Sequence, residues 1–205
     1  MRVTQKQAIK QLRELKRLGK EMRLAADGWP SKFQTLVAII ISARTRDEVT
    51  IEAAKKLFAR YPTAVTLARA PRKSIEQLVH PVNFFRNKTK SVLACARILS
   101  QKYNGIPPKG IDELVSLPGV GRKTANVFLA RYGTNAIGVD THVAYISKKL
   151  GWTRHQNPEK IEKDLERLFP KRTWRSLNTT CVRFGKTHIG RKKKNVLLDA
   201  IRSLV

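Results

Sequence analysis

Acidic residues are scarce in this sequence of 205 residues, which holds 15 Asp and Glu against 42 Lys and Arg and has a formal net charge of +27. A surface this basic repels itself unless a polyanion neutralises it, so nucleic acid is the first partner that the sequence predicts. An anionic membrane is the competing partner, but binding one requires an amphipathic anchor or a long apolar run. The longest apolar run, from Leu36 to Ile41, has six residues. We therefore expect a nucleic-acid partner and no membrane.

Cysteine is nearly absent as well, since only Cys95 and Cys181 occur. Each lies in an apolar helical pattern, which favours a buried thiol over a disulfide. The sequence has no CxxC motif and no Cys/His cluster, which excludes a zinc finger or a zinc-dependent deaminase and predicts no metal site. The N-terminal MRVTQKQ lacks an apolar signal-peptide core, so we expect no secretion signal and a cytoplasmic protein.

Helical periodicity dominates the rest of the chain. Apolar residues recur every three or four positions from Ile9 to Met22, with Thr4 as the expected N-cap. Residues 33–43 could form a buried strand by composition, but eleven residues without alternation favour a core helix. About ten helices joined by short turns predict an all-α protein.

Two breaks in this pattern suggest how the helices are divided. They lie at Asp27-Gly28-Trp29-Pro30 and at Gly133-Thr134-Asn135, where glycine and proline interrupt helices. We predict a central helical lobe over 27–134 and a second helical lobe formed by 1–26 together with 135–205.

The sequence LPGVGRKTAN, residues 117–126, places a proline and two glycines directly before a basic pair and a helical pattern. A P-loop does not fit because Arg122 separates glycine from lysine, and a dinucleotide fingerprint does not fit because Thr124 replaces its third glycine. What remains is a helix-hairpin-helix over about 111–132, whose glycines let backbone N–H groups approach a phosphate. A plain helix–helix turn is the alternative. The residues predicted to contact DNA without sequence preference are Gly119, Val120, Gly121, Arg122 and Thr124.

Lys123 and Asp140 are the candidate catalytic pair. Lys123 lies in the first turn of the expected helix, whose positive end favours an uncharged amine that can form Schiff bases with sugar aldehydes. Considered without a partner, Lys123 is better explained as one more solvated or phosphate-pairing lysine among many. Asp140 opens the next helix in IGVDTH, and the intervening chain is long enough to bring it beside Lys123. Asp140 is also expected to be an N-cap.

The hairpin motif followed by VDTH resembles the helix-hairpin-helix, Gly/Pro–Asp signature of the endonuclease III family of DNA glycosylases. The similarity extends upstream through AIIISARTRD at 38–47 and NFFRNK at 83–88, and it covers about 30–191. The resemblance implies two helical lobes with a DNA-binding cleft between them. It implies double-stranded DNA with a damaged base or an abasic site as the partner. We accordingly expect a prokaryotic, nucleoid-associated monomer.

The same resemblance implies a bifunctional DNA glycosylase and AP lyase of base excision repair that removes oxidised pyrimidines such as thymine glycol. The damaged nucleotide is flipped out of the duplex. Lys123 matches the family nucleophile, which attacks C1′ of the deoxyribose, and Asp140 matches the catalytic carboxylate. The Schiff base then allows β-elimination, and no added cofactor is needed.

Other positions carry over from the family with alternatives left open. Arg44 stands where bacterial members have a glutamine that fills the hole left by the flipped base, and Phe84 stands near an apolar wedge on the opposite side. The alternatives are a phosphate-contacting arginine and a core phenylalanine. His142 is expected to be structural rather than catalytic. The remaining predicted DNA-binding residues are Arg86, Lys88, His142, Arg191 and Lys192.

One departure concerns the [4Fe–4S] cluster that four cysteines commonly bind near the end of family members. After Cys181 the chain has no cysteine, and His188 stands where the first ligand would be. We predict that the cluster is absent. In its place we expect a helix over 195–204 whose apolar stripe packs onto the second lobe, with the residues Val196, Leu197, Ala200, Ile201 and Leu204.

Three competing functions remain at this stage. A glycosylase of the same fold could act on 8-oxoguanine, or on uracil or thymine opposite guanine. A non-catalytic helix-hairpin-helix protein would bind DNA with a strong salt dependence but without chemistry. A magnesium-dependent nuclease requires a carboxylate cluster that the sequence does not suggest.

Overall fold

The structure, a computed structural model, describes residues 3–132 and 134–204. Over these ranges the chain is helical and contains no strand, so the predicted all-α fold is confirmed. None of the described helices is long and apolar enough to cross a membrane. Twelve helices are described, with the bounds α1 Gln5–Leu18, α2 Lys32–Ser42, α3 Asp47–Arg60, α4 Ala64–Ala68, α5 Arg72–Val79, α6 Phe85–Lys102, α7 Ile111–Val115, α8 Arg122–Arg131, α9 Thr141–Lys149, α10 Pro158–Leu168, α11 Lys171–Thr187 and α12 Arg191–Arg202.

The number of helices exceeds the sequence prediction because two short ones were missed. These are α4 and α5, with five and eight residues. A segment of one or two turns shows too few repeats to display a helical period, so apolar periodicity does not reveal it.

Two compact units make up the chain. The central unit is Arg23–Phe128, and the terminal unit consists of the described residues of 1–22 and 129–205. The boundaries differ from the predicted 27 and 134, and the second one lies inside α8 rather than after it.

The central unit is organised around α2. Every residue from Phe33 to Ile41 is buried, and α2 contacts α3 and α6. This confirms a core helix rather than a strand. A helix that is apolar on all sides must be surrounded by other elements, so α2 provides a fixed support for the loops at its ends.

The terminal unit has its own core, formed by α1 and α9–α12. Trp152 packs edge-on against Phe169 with 4.8 Å between ring centroids, and its indole N–H donates to Gln11 Oε1 at 2.6 Å. The predicted cap of α1 is confirmed, because Thr4 and Gln7 form a reciprocal capping box.

The C-terminal helix α12 packs onto the terminal unit as expected, but with a different face and an earlier start. It begins at Arg191, its buried residues are Leu198 and Ile201, and Val196 is 68% exposed. The predicted stripe was therefore wrong at Val196, and also at Ala200, which is exposed. The face that a helix buries is set by its neighbours, here α1 and α9.

Candidate active site and DNA-binding elements

The hairpin between α7 and α8 depends on Gly119. Its φ of +83° is in the left-handed region, where a side chain is strained. A Cβ there would also lie 2.8 Å from Ser91 Cβ on α6 and 3.1 Å from Ile40 Cγ2 on α2. Gly119 is thus required by both backbone conformation and packing, whereas a Cβ at Gly121 would meet no described atom within 4 Å. The hairpin consequently sits tightly on α2 and α6 and projects Gly121 away from them.

Val120 corrects one of the predicted DNA contacts. Its side chain is 4% exposed, and its N–H donates to the Leu117 carbonyl at 3.0 Å. Neither group is therefore available to a phosphate, and Val120 instead anchors the hairpin in the core. The sequence pattern cannot distinguish these roles because both put an apolar residue between two glycines.

The N-terminus of α8 follows directly after the hairpin. The first helical hydrogen bond of α8 runs from the Ala125 N–H to the Gly121 carbonyl, at 2.9 Å. Backbone N–H groups before that point have no acceptor within the helix, and they form its positive end. Arg122 and Lys123 are exposed here, and Thr124 is half-buried. An exposed helix N-terminus with this charge is suited to an anion such as a phosphodiester.

Asp140 is fixed at the start of α9 in the terminal unit. Its Oδ1 accepts the Val143 N–H at 2.9 Å, so the predicted N-cap role is confirmed. The segment before it is buried, and the Asn178 amide donates to the Gly138 carbonyl at 2.7 Å. Burial and the nearby charge of Asp140 raise the pKa of the Cys181 thiol. The carboxylate thus stands beside an uncharged thiol at a rigid helix end.

His142 is the second residue of the same helix and packs against α11. A Cβ at Gly185 would overlap the imidazole Nδ1, so glycine is the residue that accommodates the ring. The imidazole is half-buried. This packing agrees with the structural role expected for His142, and its predicted DNA contact stays a prediction.

Arg44 and Phe84 are brought together, although they are 40 positions apart in the chain. Each has a left-handed backbone, with φ of 55° and 57°, which is unusual for residues other than glycine. The guanidinium carbon of Arg44 is 5.9 Å from the centroid of the Phe84 ring, and Phe84 is 59% exposed. Phe84 is therefore not a core phenylalanine.

Comparison with known proteins shows which family this chain resembles. Residues 37–171 match the HhH-GPD superfamily of base excision DNA repair proteins. Endonuclease III of Thermotoga maritima is 41% identical over 155 residues, which is 75% of this chain and 73% of that protein. Endonuclease III of Synechocystis is 40% identical over 167 residues, 80% and 76% of the two chains.

The chain belongs to the endonuclease III family. As a member it is an enzyme of base excision repair, a DNA glycosylase with AP lyase activity. A solved structure of a non-covalent complex of endonuclease III with DNA is 33% identical and superposes with a TM-score of 0.84, covering 92% of this chain and 89% of that one. A thermostable thymine-DNA glycosylase, 16% identical with a TM-score of 0.67, shares the fold.

In this member of the endonuclease III family, Lys88 is buried, whereas a residue that contacts DNA must be exposed. The residue is 8% exposed, and its Nζ donates to the carbonyls of Ile41 at 2.8 Å and Ala43 at 2.5 Å and to Thr45 Oγ1 at 3.0 Å. Burial lowers the pKa of its ammonium to about 8. The three protons of the ammonium are used inside the protein, so the predicted DNA contact by Lys88 was wrong.

Asn83 is a residue whose role the sequence did not reveal. Its side-chain amide donates to the Arg44 carbonyl at 2.5 Å, and its N–H donates to Thr45 Oγ1 at 3.2 Å. It lies within NFFRNK, but nothing in that motif indicates which distant loop it binds. The segments 43–46 and 80–84, which Asn83 and Lys88 join, are called the loop pair below.

The remaining predicted DNA contacts lie on exposed surfaces. Arg86 is exposed, with its guanidinium carbon 5.2 Å from the Phe85 ring centroid. Arg191 and Lys192 are exposed in the first turn of α12, after Gly190 as N-cap. These positions allow contact with a polyanion, and their roles stay predictions.

The cysteines do not fit an iron–sulfur cluster, which needs four thiolate ligands. The sequence has two, and both are buried and free. Burial raises the pKa of Cys95 to about 12, which keeps that thiol protonated. His188 stands where family members that bind the cluster would have their first ligand. Here its Nε2 makes a hydrogen bond of 3.0 Å with the Leu18 carbonyl, and its ring packs on Phe184. Among residues 3–132 and 134–204, no group of three or more His, Cys, Asp and Glu side chains is placed to hold a metal.

Proposed function

We propose that this protein removes oxidised pyrimidines of the thymine glycol type from double-stranded DNA and cleaves the abasic strand through a Schiff base on Lys123. The observation that carries the proposal is the exposed Lys123 in the first turn of α8, directly after the hairpin. A solved structure that is 33% identical, with a TM-score of 0.83, is a trapped covalent intermediate between endonuclease III and DNA. Covalent chemistry in that neighbour supports a nucleophilic lysine here.

The first chemical step replaces the glycosidic bond. The uncharged Nζ of Lys123 attacks C1′ of the deoxyribose, and the base leaves with the bonding electron pair. Loss of a proton from nitrogen, opening of the C1′–O4′ bond with its electron pair going to O4′, and protonation of O4′ then give a Schiff base.

Asp140 activates the amine and stabilises charge on the sugar. Its carboxylate accepts a proton from the Lys123 ammonium and passes that proton to water. The restored anion then faces the positive charge that develops at C1′ as the base leaves. Oδ1 is held by the Val143 N–H at 2.9 Å, so Oδ2 is the oxygen that we assign to proton transfer. A carboxylate that needs no reorientation contributes most to such stabilisation.

The lyase step follows from the Schiff base. Removal of a proton from C2′ lets the C3′–O bond break, and the 3′ phosphate leaves with its electron pair. Water then hydrolyses the Schiff base and regenerates the amine of Lys123. None of these steps needs a redox reaction, and we propose that the enzyme works without a cofactor or an iron–sulfur cluster. Purified, active protein that carries about four iron atoms per chain would contradict that part.

Borohydride trapping tests the proposal. Borohydride reduces the Schiff base to a stable amine, so a duplex with one thymine glycol should become covalently attached to the native protein. Lys123→Ala should abolish the adduct, while Lys109→Ala, which removes another exposed lysine just before α7, should retain it. Both variants are compared at equal DNA occupancy, so that weaker DNA binding caused by the lost positive charge is not mistaken for a loss of Schiff-base formation.

Other outcomes distinguish the alternatives. An adduct only with 8-oxoguanine, or with uracil or thymine opposite guanine, would contradict the oxidised-pyrimidine substrate but keep the Lys123 mechanism. Strand cleavage by Lys123→Ala at the native rate would contradict the mechanism itself.

A further inference from the structure

Lys88 connects two loops that carry exposed, strained residues. It lies in the first turn of α6, where its N–H donates to the Phe84 carbonyl at 3.1 Å. Its side chain reaches the carbonyls of Ile41 and Ala43 at the end of α2. Carbonyls at a helix C-terminus have no partner within the helix and attract a cation. One ammonium therefore ties the start of α6 to the end of α2.

Asn83 completes the connection on the other side of Arg44. Lys88 holds the residues that flank Arg44, namely Ala43 and Thr45, while Asn83 holds the Arg44 carbonyl itself. The segment from Ala43 to Thr45 is thus held by Asn83 of the other loop and by Lys88 in the first turn of α6. The side chain of Arg44 is left exposed.

Backbone strain shows that this arrangement is imposed rather than preferred. A non-glycine residue in a sparsely populated backbone region is strained, and it persists only where its surroundings determine it. Both Arg44 and Phe84 adopt such a conformation. The hydrogen bonds of Lys88 and Asn83 are the surroundings that determine it here, and each strained residue presents an exposed side chain.

We propose that Lys88 and Asn83 are positioning residues that hold Arg44 and Phe84 as one preassembled element, which enters the duplex at a flipped nucleotide. This extends the proposed function, and it rests on it only in requiring binding to damaged duplex DNA. An apolar wedge inserted between base steps unstacks them and kinks the duplex. Holding the wedge ready lowers the ordering cost of binding.

The same two helices also fix the distance between this element and the hairpin. Ser91, one turn after Lys88 on α6, and Ile40, next to Ile41 on α2, are the residues that Gly119 packs against. The hairpin and the loop pair therefore share one support within the central unit. A rigid support sets how far the wedge lies from the phosphates that the hairpin binds.

A double-mutant cycle on DNA binding tests the positioning role. The ligand is a duplex with one tetrahydrofuran abasic analogue, which the enzyme cannot cleave, and the readout is Kd by fluorescence anisotropy. Lys88→Met should weaken binding about tenfold more than Lys90→Met, which removes the same charge from an exposed position on α6. In an Arg44→Ala/Phe84→Ala background, Lys88→Met should weaken binding no more than Lys90→Met does.

A second pair of variants covers the case in which Lys88→Met folds poorly. Asn83 is exposed, so Asn83→Ala should fold. It should lose affinity relative to Asn87→Ala, which removes another exposed amide from the first turn of α6. Its effect should likewise vanish in the Arg44→Ala/Phe84→Ala background. Additive effects in both cycles, which a merely structural role predicts, would overturn the proposal. The binding assay does not involve cleavage of the DNA. The double-mutant cycles would therefore still test the positioning role if borohydride trapping failed.

Discussion

The hairpin and the loop pair rest on the same two helices but offer DNA different chemistry. The hairpin presents backbone and a helix N-terminus, and it needs a glycine at 119 to seat against α2 and α6. The loop pair presents the side chains of Arg44 and Phe84, and hydrogen bonds from Lys88 and Asn83 hold its strained residues. In the proposed complex with DNA, the hairpin contacts phosphates and the loop pair contacts bases.

The hairpin and the loop pair differ in how they accommodate residues with a left-handed backbone conformation. At Gly119 the absence of a side chain makes the conformation inexpensive, and a Cβ would collide with α6. At Arg44 and Phe84 the side chain is retained at a cost in strain. A protein accepts such a cost where the side chain has a function, which is the expectation for both residues.

The largest effect on stability is expected at Gly119. Gly119→Ala adds a left-handed side chain and an overlap with Ser91, so the free energy of unfolding should fall by about 2–4 kcal/mol. Gly121→Ala should change it by less than about 1 kcal/mol, because its Cβ meets no described atom within 4 Å. Urea unfolding of both variants measures the difference. Equal losses would show that the hairpin is not seated as described.

A smaller effect separates strain from side-chain function at Phe84. Phe84→Gly relieves the left-handed conformation and should be more stable than Phe84→Ala by about 1 kcal/mol, since alanine keeps the strain. Both should bind the abasic duplex more weakly than the native protein, because the ring is gone. If Phe84→Ala were the more stable of the two, the strain assigned to this position would be contradicted.

The smallest effect is in the salt dependence of binding. Arg122→Gln, at the exposed N-terminus of α8, should lower the slope of log K against log salt by about 1, as expected for one lost phosphate contact. Phe84→Ala should leave that slope unchanged and should instead reduce the preference for abasic over intact duplex. Titrations at several salt concentrations test both. A change of slope at Phe84 would remove the distinction between the two elements.

Much of the candidate site follows from short-range sequence signals. The turn chemistry around Gly119, the cap at Asp140 and the position of Lys123 in a first helical turn all depend on residues within a few positions of one another. By contrast, the sequence misassigned Lys88 and Val120 and gave Asn83 no role. The hydrogen-bond acceptors of Lys88 and Asn83 lie about 40 positions away in the chain, and the burial of Val120 depends on tertiary packing, so local sequence patterns reveal neither.

The sequence by itself determined an all-α protein of the endonuclease III type with a helix-hairpin-helix, a strong positive charge and a candidate pair in Lys123 and Asp140. Periodicity, turn residues and composition carry this information locally. The tertiary structure alone decided that Lys88 is buried and that Arg44 and Phe84 stand together. The reason is that the acceptors of Lys88 lie 43–47 positions away, on a helix and loop that only folding brings to its ammonium.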